Sequence, residues 1–184
     1  WKRVLTPHSL SNILENYTQV VEFKDPKSGR KKQTQIFPRY HQLDVVRKLL
    51  AHATDHGTGK RYLIQHSAGS GKSNSIAWLA HQLTGLQQEN TTVFDSIIVV
   101  TDRRNLDTQI NQTIKQFMQV GSTVGHAEAS SDLRRFITEG KKIIITTVQK
   151  FPFILDAIGD EHKDRHFALL IDEAHSSQGG KATA

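Results

Sequence analysis

The stretch QHSAGSGKSNSIAWLAHQL, which runs from Gln65 to Leu83, decides the fold. In it, the small-residue run AGSGKS (68–73) stands directly before a segment with the apolar periodicity of a helix. Glycines let consecutive backbone N–H groups approach an anion, and a helix amino end adds unpaired N–H groups and a positive dipole end. We therefore predict a phosphate-binding loop, in which Lys72 reaches the terminal phosphates and the Ser73 hydroxyl binds Mg²⁺.

The loop departs from the full phosphate-binding pattern at one position. That pattern begins with a glycine five residues before the Gly-Lys pair, and this chain has His66 there. The shorter core G-x-G-K-S is intact, and we interpret His66 as a loop residue rather than a catalyst. The residues of the loop expected to bind nucleotide are Ser67, Ala68, Gly69, Ser70, Gly71, Lys72 and Ser73.

A second motif, LLIDEAH (169–175), ends a hydrophobic run in two carboxylates and a histidine. Taken alone, it could be an acidic strand end that caps a helix. In a parallel sheet, however, ligands bind at the carboxyl ends of the strands. Asp172 is then placed to hold Mg²⁺, and Glu173 to orient and deprotonate the attacking water. Alternating elements between the two motifs let them converge on one nucleotide, which predicts Lys72, Asp172 and Glu173 as catalytic residues.

Strands and helices alternate through residues 37–184, which we interpret as the main domain. Continuous β-branched runs such as DSIIVVT are typical of buried parallel strands. The pattern predicts an α/β domain with a mostly parallel sheet and helices on both faces. Strands are predicted at 61–67, 95–101, 141–147 and 167–173, and helices at 43–53, 72–83, 104–119, 130–139 and 148–158.

Residues 1–36 are predicted to form a small extension, with a helix over 8–20 followed by two strands around a Pro/Gly turn. Residues 1–40 hold eight Lys/Arg against three Asp/Glu, which accounts for most of the net charge of +6. Such a surplus is typical of contact with a polyanion, but a solvated basic linker is equally consistent with it.

Composition excludes several classes of protein. The 184 residues include no cysteine, so disulfides and thiolate metal sites are excluded. The apolar runs are too short for a membrane span, and the ten scattered histidines are interpreted as surface residues. Because the chain lacks an initiator Met and ends in GGKATA, we expect it to be a piece of a longer protein.

The tetrapeptide DEAH (172–175) is the signature of superfamily 2 helicase-like motors, which this sequence resembles. The resemblance implies a RecA-like P-loop NTPase fold and a role for His175 in coupling the nucleotide and nucleic-acid sites. Gln42, in FPRYHQ, would bond the adenine edge, with Phe37 or Tyr40 as a stacking partner.

Two further stretches, VVTDRRNLDTQI (99–110) and IIITTVQKF (143–151), resemble elements of these motors that contact the nucleic-acid backbone. Hydroxyls, amides and helix starts suit phosphate contacts that do not depend on base sequence. For the two arginines, a solvated helix start is the alternative. The implied contact residues are Thr101, Arg103, Arg104, Thr147, Gln149 and Lys150.

Taken together, these stretches resemble the motor (restriction) subunit of type I restriction enzymes over about residues 37–180. The resemblance implies ATP and Mg²⁺ as cofactors and translocation of double-stranded DNA before cleavage. It further implies a cytoplasmic complex with modification and specificity subunits, and no membrane. The chain departs from the family at Ser176, where arginine is common, so any contact that this arginine makes in the family is not assigned to Ser176.

In that family a nuclease domain precedes the motor and a second RecA-like lobe follows it, and neither is found in this sequence. Because an arginine finger contributes about 10³–10⁵ in rate, we expect the chain alone to bind Mg-ATP but hydrolyse it very slowly. The alternatives are another superfamily 2 motor (such as a type III restriction subunit or an RNA helicase), a nucleic-acid-binding module with a vestigial nucleotide site, and a P-loop switch without nucleic acid.

Overall fold

The computed structural model describes residues 2, 4–24, 29–101, 113–114, 123–127, 129–150 and 162–173. The helices of this part of the chain are α1 (Pro7–Asn16), α2 (Tyr40–His56), α3 (Lys72–Thr84) and α4 (Ser130–Thr138). The strands are β1 (Gln19–Lys24), β2 (Lys31–Ile36), β3 (Gln87–Gln88), β4 (Thr91–Thr92), β5 (Ser96–Thr101), β6 (Val124–His126), β7 (Ile143–Thr147) and β8 (Phe167–Ile171).

A four-stranded parallel sheet in the order β6-β7-β5-β8 forms the centre of the described fold. Ile97 of β5 is in register with Ile143 on one side and Ala168 on the other. Because all the pairings are parallel, the carboxyl ends of the strands meet at one edge, where the phosphate loop and the acidic motif were expected to converge. The predicted α/β architecture is confirmed.

Helices cover both faces of the sheet, and the strand pleat decides which side chains meet them. Ile97 and Val99 of β5 belong to a core shared with α1, α2 and α3, in which Trp78 is fully buried. Ile98 and Val100 point the other way and pack into a second core with residues of α4. Every residue of β5 is buried, which explains why its central run, residues 97–100, is continuously apolar rather than alternating.

Helix α1 packs into the same core as the main sheet. Thr6 caps it by accepting a hydrogen bond from Ser9 N at 3.3 Å, and Pro7 takes the first helical position. Tyr17 is buried beside Trp78, with 5.7 Å between the ring centroids. The predicted helix exists but ends at Asn16, and residues 19–24 and 31–36 form the predicted antiparallel hairpin.

The strand predicted at residues 61–67 is wrong, because residues 60–67 have no regular structure. Tyr62 and Ile64 lie instead along α2, where they line a shallow groove with Leu49, and the Tyr62 hydroxyl is 2.8 Å from His52 Nδ1. Leu63 is 90% exposed. The run RYLI predicted a strand, but its side chains lie along the apolar surface of α2 and remain exposed.

The other predicted elements of the main domain are observed to within a few residues at 40–56, 72–84, 96–101, 130–138, 143–147 and 167–171. The helix predicted at 104–119 lies largely outside the described residues, as does most of 148–158, which begins with a 3₁₀ turn at Val148–Lys150.

Sequence reasoning missed β6, which has only three residues. Gly125 in β6 faces Phe136 of α4, and a Cβ there would lie 2.7 Å from that ring. No helix in the described ranges could span a membrane.

Candidate nucleotide-binding site

The phosphate loop is a tight turn that leads directly into α3. Gly69 and Gly71 have φ values of +72° and +82°, a region that other residues rarely adopt. Ser70 N donates to Ser67 O at 3.3 Å and closes the turn. Lys72 then begins α3, so the loop and helix start predicted from AGSGKS are both observed.

Several polar groups of this loop have no hydrogen-bond partner within the described part of the chain. The backbone N–H groups of Gly71, Lys72 and Ser73 have no acceptor there, and the buried hydroxyl of Ser70 has no partner. Unpaired amides at a helix amino end form a ready site for an anion. The donor set therefore fits the phosphates of a nucleotide.

The side chain of Lys72 reaches across the site to the acidic motif. Its Nζ lies 2.6 Å from Glu173 Oε1, and both side chains are about one-third exposed or less. This hydrogen bond raises the pKa of Lys72 above its usual value, and the nearby charges of Glu173 and Asp172 act in the same direction. The lysine is therefore fully charged at neutral pH, as phosphate binding requires.

Asp172 and Glu173 stand at the carboxyl end of β8. Asp172 is buried, and its backbone N–H donates to Val100 O at 2.9 Å, which continues the pairing of β8 with β5. One oxygen of its carboxylate accepts from Glu173 N at 3.1 Å. Glu173 has a φ of +52°, which is uncommon for a residue other than glycine and is typical of functional sites. The residue with this left-handed backbone is the one whose carboxylate forms the ion pair with Lys72.

The amino end of α2 contacts the opposite side of the loop. Gln42 is only 2% exposed, and its amide nitrogen donates to Gly71 O at 2.8 Å and Ser70 O at 3.2 Å. Its amide oxygen accepts from Arg39 N at 2.8 Å. Arg39 Nη1 donates to Gly69 O at 3.3 Å. The adenine contact predicted for Gln42 stays a prediction, while its contacts with the loop are observed.

A further contact at this end of α2 was missed in the sequence. His41 Nε2 lies 3.0 Å from Ser70 O, and the His41 ring meets the His66 ring edge-on, with centroids 5.0 Å apart. The stretch FPRYHQ indicated Gln42, Phe37 and Tyr40 but not His41, because no spacing rule places His41 against a loop almost thirty residues later. Phe37 and Tyr40, the suggested stacking partners, are exposed.

The predicted nucleic-acid residues are only partly described. Thr101 and Thr147 face each other in register at the carboxyl ends of β5 and β7, and both side chains are buried. Gln149 is exposed in the 3₁₀ turn that follows. The predictions for Arg103, Arg104, His175, Ser176 and the side chain of Lys150 lie outside the described residues. Their roles stay predictions.

The carboxyl edge of this parallel α/β sheet brings a lysine-bearing loop, turned by two glycines, next to two carboxylates. This combination defines the class of P-loop NTPases. Within that class, the chain belongs to the SWI2/SNF2 ATPase family, whose model matches residues 41–184. The RecA-like fold predicted from the sequence is therefore confirmed.

Individual relatives are endonuclease subunits of type I restriction enzymes. The chain is 26% identical over 191 residues to the putative MjaVIIIP subunit of Methanocaldococcus jannaschii, covering 92% of this chain and 18% of that protein. It is 35% identical over 127 residues to the C-terminal part of the putative MpnIIP subunit of Mycoplasma pneumoniae, covering 64% and 57%. It is 29% identical over 156 residues to the HindI subunit of Haemophilus influenzae, covering 77% and 14%. The resemblance inferred from the sequence is confirmed, although the chain spans less than two-thirds of each of these relatives.

Proposed function

We propose that this chain is the ATP-binding motor domain of a type I restriction endonuclease subunit, which couples hydrolysis of Mg-ATP to the translocation of double-stranded DNA before cleavage. The observation that carries the proposal is the Lys72–Glu173 pair beside the unpaired amides of the loop. The similarity to type I restriction endonuclease subunits supports DNA as the substrate of the motor.

In this proposal, the backbone N–H groups of Gly71, Lys72 and Ser73 bind the phosphates of the nucleotide. The Lys72 ammonium transfers its hydrogen bond from Glu173 to a terminal phosphate oxygen. The Ser73 hydroxyl and the Asp172 carboxylate are the residues that would hold Mg²⁺. When bound, the cation neutralises the charge of the phosphates.

Release from Lys72 leaves the Glu173 carboxylate as an acceptor for a proton. It takes that proton from the attacking water, whose oxygen bonds to the γ-phosphorus while the bond to the bridging oxygen breaks. The products are ADP and inorganic phosphate. His175 would couple this hydrolysis at the nucleotide site to the nucleic-acid site.

The wider role proposed for the chain concerns its partners. Double-stranded DNA would contact Thr101, Arg103, Arg104, Thr147, Gln149 and Lys150 through its backbone. Because Thr101 and Thr147 are buried, their hydroxyls can reach a phosphate only if the ends of β5 and β7 become exposed. Modification and specificity subunits would complete a cytoplasmic complex, in which a second RecA-like lobe supplies the groups needed for rapid hydrolysis.

Thermal unfolding with and without Mg-ATP tests the nucleotide site. A ligand at one hundred times its Kd stabilises the folded state by about 2.7 kcal/mol, which corresponds to a rise of about 5–10 °C for a domain of this size. We expect this rise in the parent and its loss in Lys72→Ala. Lys60→Ala is the matched control, because Lys60 is an exposed cation that lies before the loop. If the parent does not respond at millimolar Mg-ATP, the proposed nucleotide site is incorrect for this chain.

A further inference from the structure

The three carbonyl groups of Gly69, Ser70 and Gly71 all accept hydrogen bonds from side chains at the amino end of α2. Arg39 bonds the first, His41 and Gln42 bond the second, and Gln42 also bonds the third. A loop with two glycines in three residues has much conformational freedom to lose on ordering. These contacts restrict it by holding each carbonyl in turn.

Holding these carbonyls also decides where the adjoining amides point. A trans peptide is planar, so a carbonyl and the N–H of the next residue point in opposite directions. The Ser70 carbonyl points toward α2, and the N–H group of Gly71 therefore points away from it. The Gly71 carbonyl accepts from Gln42 and also from the backbone N–H groups of Asn74 and Ser75, so α2 and the first turn of α3 together orient the N–H group of Lys72. The N–H groups of Gly71 and Lys72 are two of the three amides that have no acceptor in the described part of the chain. The contacts of α2 thus orient the Gly71 amide and, together with the start of α3, the Lys72 amide, both of which are donors that phosphate binding requires.

His66 supports this arrangement through His41. A carbonyl oxygen only accepts, so His41 Nε2 must carry the hydrogen in its 3.0 Å contact with Ser70 O. The two rings are nearly perpendicular, with an interplanar angle of 89° and centroids 5.0 Å apart, which is a favourable aromatic geometry. His66 occupies the position at which the full loop pattern has glycine, so its side chain adds a contact that a glycine could not make.

We propose that His41, held in place by His66, is a positioning residue that presets the phosphate loop for polyphosphate binding. This inference rests on the nucleotide site proposed above. Because His41 acts on the backbone of the loop, its effect is the same for every ligand that carries the phosphates, whatever its base. A residue that read the adenine edge would instead affect ATP alone.

Calorimetric titration with the magnesium forms of ATP, GTP and inorganic tripolyphosphate tests the proposal. We expect His41→Ala to weaken all three ligands by the same factor, about 3- to 10-fold for the removal of one hydrogen bond. His41→Gln, whose amide nitrogen can donate over a similar reach, should restore part of the affinity for all three. His56→Ala is the matched control, because it removes one imidazole from the stacked His52–His56 pair at the other end of α2.

A double-variant cycle tests the role of His66. Since His66 acts through His41, His66→Ala should weaken all three ligands, and the double variant should bind no more weakly than His41→Ala alone. Additive losses would overturn the role of His66. If His41→Ala does not fold, the affinities of His66→Ala for the three ligands are compared with those of the parent instead, because His66 is at a partly exposed loop position.

The results also separate this inference from the proposed function. If the parent binds none of the three polyphosphates, the nucleotide site itself is refuted. If the parent binds them and His41→Ala leaves all three affinities unchanged, only the positioning role is overturned. A loss confined to ATP overturns it as well, because it would indicate a contact with the base.

Discussion

Lys72 at the start of α3 and Glu173 after β8 are 101 residues apart in the chain, yet their side chains form a 2.6 Å ion pair. The pair joins the two motifs on which the proposed ATPase depends. It has a direct chemical consequence, since a phosphate that binds Lys72 must compete with the Glu173 carboxylate. Loss of that carboxylate should therefore affect nucleotide binding and hydrolysis in opposite directions.

Glu173→Gln tests this competition. The substitution keeps the shape of the side chain but removes its negative charge and its ability to accept a proton. We expect Mg-ATP to bind at least as tightly as in the parent, and hydrolysis by a protein that joins this chain to the proposed second lobe to fall about 10²- to 10⁴-fold. Binding and turnover measured on the same preparations check both expectations. Glu15→Gln, at an exposed position of α1, should change neither. Unaltered turnover in Glu173→Gln would argue against Glu173 as the base.

The ion pair also predicts a dependence of stability on alkaline pH. The pKa of Lys72 is raised by its bond to Glu173, so the stabilisation is present below the ordinary lysine value of 10.5 and is lost as the pH rises through the folded-state pKa. The melting temperature of the parent should therefore fall more steeply above that value than the melting temperature of Lys72→Met. Parallel melting curves for the two proteins would show this, and identical slopes would contradict it.

Gly71→Ala should disrupt the phosphate loop more than its small size suggests. The residue has a φ of +82°, and a Cβ there would lie 2.4 Å from the amide nitrogen of Gln42. Backbone strain of this kind costs on the order of 1–3 kcal/mol, and the packing of α2 on the loop must also shift. We expect lower stability and loss of Mg-ATP binding, measured by thermal unfolding and titration. Gly85→Ala is the control, because Gly85 has ordinary φ and open space around its Cβ position.

Arg47→Ala should loosen α1 from the main domain. The guanidinium donates to Ser9 Oγ at 3.0 Å, Ser9 O at 3.2 Å and Asn12 Oδ1 at 2.8 Å, all on α1. Loss of these charged donors should lower the free energy of unfolding by about 1–3 kcal/mol and speed hydrogen exchange in α1. Lys48→Ala, the adjacent exposed cation, should change stability by less than about 1 kcal/mol. Unchanged exchange in α1 would show that apolar contacts alone hold it.

Titration with double-stranded DNA at several salt concentrations tests the proposed partner. If the chain binds the backbone, affinity should fall as salt rises, and replacing Arg103 and Arg104 by Ala should reduce the log–log slope by about 0.9 for each DNA phosphate that is no longer neutralised. Arg134→Ala, which removes one positive charge from the exposed side of α4, serves as the control for each arginine replacement. Negligible, salt-insensitive binding would favour a nucleotide switch that does not act on DNA.

Much of the fold follows from local sequence pattern. The apolar runs of β5 and β7 and the helical periodicity of α2 and α3 are visible without any tertiary information, because burial on both faces of a strand or on one face of a helix imposes its own spacing. The apolar run of β8 is equally visible, although Leu169 and Ile171 are exposed in the described structure. Residues 61–67 show where this reasoning fails. An apolar run does not reveal whether it will join a sheet or lie, still exposed, along a neighbouring helix.

The sequence by itself determined the chemistry available: the glycine turns, Lys72 and Ser73 at a helix start, and two carboxylates at a strand end. It also predicted their convergence, because parallel strands place their carboxyl ends at one edge of a sheet. Only the tertiary structure decided that Lys72 pairs with Glu173 and that Arg39, His41 and Gln42 hold the loop from α2. Those contacts depend on how α2 packs beside α3, and hydrogen bonds form only within a few tenths of an ångström, a precision that sequence spacing does not carry.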